Sequence, residues 1–373
     1  MIKMQQQQNE GKALSFQSNE IRHGLTGLDY FSQNANSLDE QSDKADEILP
    51  QLLKTGAIGI GVAKDFGGDG GTICDSVEAI AALSYHSLTA AFVLWGQKTY
   101  AHFLIESDNE QLRIEQLPQI INGSLAGASA LSNAMKFMAG LETLQIKVSA
   151  ETNGKTIVDG IMPWVTNLRL GNFVIAAAIE RADKTAFVAS FAADDLGLTR
   201  SDDLDLTALR ASHTASISLK NVQIDQKHII FHNLAASIAP VRPGFIGMQC
   251  AMSLGLARRI LDEAQHNQGA GRNVLNAEID TLTSDLASLT NELQQGLIEQ
   301  QFISDIAALF RIRIRLADLV TKAIWLELQT LGGKAYLQKT GSDFARRLRE
   351  AAFIPIITPS ITQLKAVLQA QNQ

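Results

Sequence analysis

The chain has 373 residues, 46% of them hydrophobic and 19% charged, and a formal net charge of −7. That length exceeds what one hydrophobic core fills, so two or three packed regions are expected. The negative balance excludes a general nucleic-acid binder, which needs a basic face to neutralise phosphates.

Residues 1–36 read as a flexible tail, because "MIKMQQQQNEGKALSFQSNE" has no apolar core of signal-peptide length. Residues 37–123 read as an N-terminal helical domain. In "SLDEQSDKADEILPQLLKTG", Leu38, Ala45, Ile48, Leu49 and Leu52 recur near the helical period. Ser37 is expected to cap that helix, Glu40 to complete a capping box and Gly56 to stop it. The five-residue loop Gly67-Gly68-Asp69-Gly70-Gly71 could cradle a phosphate at the next helix, but it lacks a P-loop's Lys-Ser/Thr and a dinucleotide fingerprint. A tight turn is the expectation there. Cys74 and Cys250 are the only cysteines. Both read as buried small apolar residues, with no disulfide framework and a cytoplasmic compartment expected. "EAIAALSYHSLTAAFVLWGQ" is broken by polar residues and falls short of the roughly 20 apolar residues of a membrane span, so none is expected.

Residues 124–232 have the texture of a β domain. "TLQIKVSAE" and "TIVDGIMPWVTN" flank Asn153-Gly154, a hairpin signal, and "NFVIAAAIE", "TAFVASFAA" and "TASISLKNVQI" continue in the same style. "PWVTN", Pro163 to Asn167, sets an aromatic, a β-branched residue and a threonine at a strand end. Such a word offers a planar heteroaromatic ring a flat face, a hydroxyl and backbone donors; it also suits a buried hairpin tip. His228 and His232 are four apart on an expected strand, hence more than about 10 Å from each other, and no metal site is expected.

Residues 233–373 return to helical periodicity. In "VRPGF", Arg242 precedes an apolar helix with Pro243 in its first turn, placed to meet a carboxylate or an anionic ligand, or to sit solvated. Gly332-Gly333 in "LQTLGGKAY" should end a helix and also permit close approach of a ligand to the backbone. In "RRLREAAFIPIITPS", Arg346, Arg347 and Arg349 are expected to close the last long helix, where cations suit the dipole. Pro355 and Pro359 are expected to hold the following segment extended.

Over about residues 37–370, these words resemble the acyl-CoA dehydrogenase family in order and spacing. The resemblance is carried by "GAIGIGVAKDFGGDGG", "LAGASALSN", "NGKTIVDGIMPWVTN", "LRASHTASISLKNVQI", "RPGFIGMQCAMSLGLARRILDEA" and "LQTLGGKAYLQKTGSDFARRLREA". It implies a mostly α, α+β fold: an N-terminal helical domain, a middle β-barrel or sandwich domain and a C-terminal four-helix bundle. It implies FAD between the domains and a homodimer or homotetramer. By position, Trp164, Val165 and Thr166 would lie along the flavin, with Thr166 near N5, and Ser132 would stand at its pyrimidine side. Gln329, Gly332 and Gly333 would meet the adenosine diphosphate part of a neighbouring subunit's FAD, and Ser360 the adenine half. Arg242 would assist acyl-CoA binding.

Three departures are visible. The family's Thr-Glu-Pro-x-x-Gly-Ser-Asp loop reads "SNAMKFMAG", and the arginine and phenylalanine that open the second bundle helix have no match in "HNQGAGRNVLNAEI". FAD is therefore expected to be held weakly, or reduced flavin to serve as a co-substrate. The usual carboxylate base position is occupied by Thr358, and Pro240 and Val241 fill the alternative position. A positioned base contributes about 10²–10⁴-fold, so ordinary acyl-CoA dehydrogenation should be poor. The resemblance therefore implies an atypical FAD-dependent oxidoreductase acting on an acyl-CoA or another small molecule, with an electron-transfer flavoprotein as partner. The alternatives are a flavin-dependent monooxygenase of the same fold, fed by a flavin reductase, and a catalytically silent binding or assembly subunit.

Overall fold

Among the described residues, the first five α-helices are α1 (Asp29–Glu40), α2 (Ala45–Thr55), α3 (Ile73–His86), α4 (Leu88–Glu106) and α5 (Glu110–Ile121). The computed structural model describes residues 24–131, 134–138, 142–152, 155–267 and 271–371. The stretch Met1–Glu20, Ser132 and the Asn153-Gly154 hairpin word lie outside the described residues. Ser37 is not an N-cap, since α1 begins at Asp29 and carries Ser37 in its last turn. The apolar stripe explains the difference: Phe31, Ala35 and Leu38 are buried at helical spacing, so the helix starts earlier than the capping word suggests. Gly56 does end α2, at φ 79°.

The glycine-rich loop is a tight turn. Gly70 bridges to Ile60 and Val62, and a Cβ on Gly68 would sit 2.2 Å from the Val62 carbonyl oxygen. The N-terminus of α3 is filled by the Asp75 carboxylate, which accepts from the Thr72 backbone N–H at 2.6 Å. A phosphate would have to displace that acid.

Helix α4 is the internal strut, buried along nearly its whole length. Its Lys98 ammonium donates to the carbonyls of Ile58, at 3.1 Å, and Ile60. Burial lowers its pKa from the ordinary value to about 7, against the opposing pull of Asp69 and Asp75. The unfolded chain therefore binds more protons than the folded one between about pH 7 and the ordinary lysine value of about 10.4, and stability rises with pH across that window. Urea denaturation between pH 7 and 9 should show this positive slope, and Lys98→Met should flatten it.

The middle of the chain forms one eight-stranded sheet in the order β6-β7-β3-β2-β4-β5-β8, with β1 added beside β4. The strands are β1 (Ala126–Ala130), β2 (Ile146–Thr152), β3 (Lys155–Val165), β4 (Phe173–Glu180), β5 (Ala186–Ala192), β6 (Leu198–Arg200), β7 (Ala215–Ile224) and β8 (Ile229–Phe231). A short α6 (Ala134–Met138) follows β1. Every position of β4 is buried, because α4 and β1 cover what its neighbours leave open.

The rest is helical: α7 (Leu234–His266), α8 (Asn276–Ile298), α9 (Gln301–Ser304), α10 (Ile306–Leu331), α11 (Gln338–Phe353) and α12 (Ile361–Gln371). Helix α7 runs 33 residues and starts two turns before the expected point, capped by the Asn233 side chain. Pro240 and Pro243 both lie inside it. Residues 235–240 are exposed or half-buried, so water reaches the carbonyls the prolines free.

Two expectations near the C-terminus are corrected. Arg346, Arg347 and Arg349 do not close a helix against its dipole; α11 continues to Phe353 and each arginine meets a specific acid. Arg346 pairs with Glu350 at 2.8 Å, Arg347 with Glu327 at 2.5 Å, and Arg349 with Asp39 at 2.7 Å. Nor is the segment after α11 extended throughout, because Ile354–Ile356 forms a 3₁₀ turn with Pro355 near its start. By length and apolarity the stretch Gln338–Gln371 could cross a bilayer. It breaks into two helices that pack on α10, and the buried pairs of Arg346 and Arg347 lie within it.

Candidate functional site

The strand end at "PWVTN" is built by its neighbours. Asn167 takes a left-handed φ of 66°, a conformation asparagine tolerates. Its buried amide donates to Gln97 Oε1 at 2.8 Å and to the Gly127 carbonyl at 2.9 Å. Gln97 in turn donates to the carbonyls of Ile120 and Leu125 at 2.7 and 2.8 Å and accepts from the Gly127 N–H at 2.8 Å. A fully satisfied buried amide of this kind fixes α4, β1 and the end of β3 together.

On that support Trp164 projects outward with 64% of its surface exposed, whereas Val165 is fully buried. A shallow depression beside it is lined by Ala130, Leu144, Ile161 and Pro163. Thr166 is buried, and its hydroxyl joins a short chain to Thr214 at 2.9 Å and on to Ser212 at 2.7 Å. An uncovered indole with an apolar wall beside it offers a flat heteroaromatic ring, such as a flavin, one face to stack on.

The loop carrying Thr358 is held as firmly. Gln249 of α7 donates to the carbonyls of Ile357 and Thr358 at 3.2 and 3.0 Å. Arg313 of α10, fully buried, donates to Gln249 Oε1 at 3.2 Å and to the Ile354 carbonyl at 2.6 Å. Ser360 caps α12, its backbone N–H donating to Gln363 Oε1 at 2.7 Å and its hydroxyl accepting from the Gln363 N–H at 3.3 Å. That hydroxyl is already engaged.

A line of rings joins this loop to the core. Phe353 meets Phe92 at 5.1 Å, Phe92 stacks on Trp95 at 5.8 Å, and Trp95 meets Phe245 of α7 at 5.3 Å. Arg242, expected at a helix start, lies instead inside α7, half-buried, with its guanidinium 5.7 Å from the Phe310 ring centre. Desolvation lowers its pKa.

The third group stands apart. Gln329 is exposed at the end of α10, its side chain donating to the Trp325 carbonyl at 3.2 Å. Gly332 follows at φ 59°, and nothing approaches Gly333. Helix α10 packs mainly on α7, α8, α11 and α12, while β3 packs mainly on β1, β2 and β7, so this group and Trp164 stand on elements with different neighbours. His228 is engaged by Asp225 at 2.9 Å, and the described residues contain no metal-ligand cluster.

Several residues escaped sequence reasoning. Gln97, Arg313 and Gln249 act across long separations that no local word reveals. Arg272 comes close to Gly332, its Nη2 3.1 Å from where a Cβ would stand. It thus brings a cation to the glycine pair where no family arginine was matched, and an open backbone with a guanidinium suits a phosphate. If the diphosphate of a dinucleotide such as FAD is held here, Arg272→Ala should weaken its binding by about 10–150-fold, the range of a charge-assisted hydrogen bond, measured by fluorescence titration of the purified protein.

No family model matches the chain. Its sequence is similar to the mitochondrial short/branched chain specific acyl-CoA dehydrogenase of Rattus norvegicus, 24% identical over 235 residues, 61% of this chain and 53% of that protein. The match thus spans about half the length of that relative. A probable acyl-CoA dehydrogenase of Bacillus subtilis is 22% identical over 352 residues, 87% of this chain and 88% of its own. Among solved structures, a glutaryl-coenzyme A dehydrogenase in its glutaryl-CoA complex superposes with a TM-score of 0.79 at 15% identity, covering 96% of this chain and 95% of that one. A dibenzothiophene monooxygenase from Paenibacillus gives 0.74 at 13% identity, covering 91% and 93%.

Proposed function

We propose, on the premise that this chain is a divergent member of the acyl-CoA dehydrogenase family, that it is a flavin-dependent oxidoreductase acting on a small molecule. The observation that carries the reading is the uncovered Trp164 face, held by the Asn167–Gln97 lock at the end of the same strand. When bound there, the flavin would supply hydride acceptance from a substrate, or in reduced form the activation of oxygen. The protein's own part is to hold the ring against Trp164, to keep the Thr166 hydroxyl oriented through Thr214, and to fix the Thr358 loop through Gln249 and Arg313.

The second reading, a monooxygenase fed with reduced flavin, is favoured by Thr358. An alcohol cannot take an α-proton at neutral pH, so the step that a dehydrogenase assigns to a carboxylate has no acceptor at that position. An electron-transfer flavoprotein belongs to the first reading and a flavin reductase to the second. In either, Gln329, Gly332 and Gly333, with Arg272, serve the adenosine diphosphate part of FAD from a second subunit of a homodimer or homotetramer.

The test starts from the visible spectrum of the purified protein. Anaerobic bleaching of bound flavin by an acyl-CoA panel supports dehydrogenation. Substrate-dependent oxygen uptake with NADH and a flavin reductase supports the monooxygenase. Failure to bind oxidised or reduced flavin at tens of micromolar overturns both and leaves a catalytically silent subunit.

A further inference from the structure

A cavity of about 660 Å³ opens at the head of α7, lined among others by Phe137, Thr143, Lys184, Asn233 and Ala235. That volume is in the range of small-molecule sites. It adjoins the Trp164 depression across Leu144, which lines the latter and whose backbone N–H donates to the Glu180 carboxylate in the cavity wall at 3.0 Å. Arg242 lies seven residues beyond Ala235, two helical turns on the same face, so about 10 Å further along α7.

Among the described residues, Arg242 has no ion pair, and its Nε has no hydrogen-bond acceptor despite being buried. Trp95, with 7% of its surface exposed, is in the same condition: its indole N–H has no acceptor. Its ring lies against Phe245, one turn along α7 from Arg242. The buried Nε–H of Arg242 and the buried indole N–H of Trp95 each carry a free-energy cost that an incoming acceptor removes. A guanidinium pairs more strongly with an anion than with a neutral carbonyl. The cavity's own carboxylates do not fill this role. Glu180 is bound to Lys184 at 2.8 Å and Lys147 at 3.9 Å, and Glu142 is exposed, where solvent and salt screen it.

We infer that the substrate pocket runs from this cavity to Arg242 and takes a small organic carboxylate, whose charge pairs with Arg242 and whose second oxygen meets the Trp95 N–H. The substrate thus brings the negative charge that the chain omits at Thr358. The inference deepens the flavoprotein reading by naming its substrate class. Binding itself requires no flavin.

The test compares hexanoate, benzoate and 2-naphthoate with their neutral amides and with hexanoyl-CoA by titration calorimetry, on flavin-free and FAD-loaded protein. At least one carboxylate should bind more tightly than its amide by tenfold or more. Arg242→Gln should lose that carboxylate by about 10–100-fold, and Trp95→Phe, which keeps the ring, by about 3–10-fold. Circular dichroism and thermal melting confirm that each variant folds. If every amide binds as well as its acid, if no carboxylate binds at 10 mM, or if hexanoyl-CoA alone binds and ignores Arg242→Gln, the inference is overturned. Failure to bind flavin, with the carboxylate preference intact, would instead strike only the oxidoreductase reading.

Discussion

Replacing Glu327 by glutamine should lower the unfolding free energy by about 3 kcal/mol, the lower end of the range for breaking a buried ion pair. Glu327 is fully buried and faces Arg347 through three contacts of 3.2, 3.1 and 2.5 Å. The substitution keeps the shape and one acceptor but leaves the guanidinium charged and 2% exposed. Glu263 stands 4.0 Å from Arg347 and takes over part of the charge, which is why the loss falls at the low end. The double change Glu327→Leu with Arg347→Met removes both charges and should recover most of that loss, since apolar replacements of a buried pair are often neutral or better. Urea denaturation followed by circular dichroism reads both. If Glu327→Gln costs less than about 1 kcal/mol, the pair behaves like a surface one and does not join α10 to α11 as described.

The same arginines show why part of the fold was illegible. Three cations in one short word look like a helix end, because the dipole rule is local. Two of them find partners far along the chain, Arg347 with Glu327 of α10 and Arg349 with Asp39 of α1, 20 and 310 residues away. Ser37 misled for a related reason: its capping word is sound, but the buried stripe of Phe31, Ala35 and Leu38 outweighs it. Pro243 suggests a helix start because proline suits a first turn, and the exposure that lets α7 carry both Pro240 and Pro243 inside it is not written in the sequence.

What was legible was local or periodic. The alternation through "TIVDGIMPWV" yields β3, Gly56 and Gly332 end their helices, and the glycine-rich loop turns as its composition implies. "PWVTN" announced an aromatic face at a strand end, and Trp164 is exposed there. Its support was hidden, since Gln97 lies 70 residues from Asn167. The resemblance located Arg242 and Thr358, and only the packing revealed that the first lacks a counter-charge among the described residues and that the loop of the second is pinned.

That pinning makes Thr358→Glu the most informative single substitution. Gln249 and Arg313 hold the backbone at Ile354, Ile357 and Thr358, so a longer side chain enters without rebuilding the loop. If the loop faces a bound thioester, the new carboxylate supplies the missing proton acceptor, and anaerobic bleaching of bound FAD by an acyl-CoA should accelerate by about 10²–10⁴-fold, or roughly 3–5 kcal/mol of barrier. Thr358→Gln is the control, equal in size but unable to accept the proton, and should show no gain. The new charge should also compete for Arg242, weakening hexanoate or benzoate binding in calorimetry. Equal bleaching rates for the two variants would mean that the Thr358 side chain does not face the reacting carbon. Faster bleaching with unchanged carboxylate binding would separate the loop from Arg242 and place the two on different parts of the substrate.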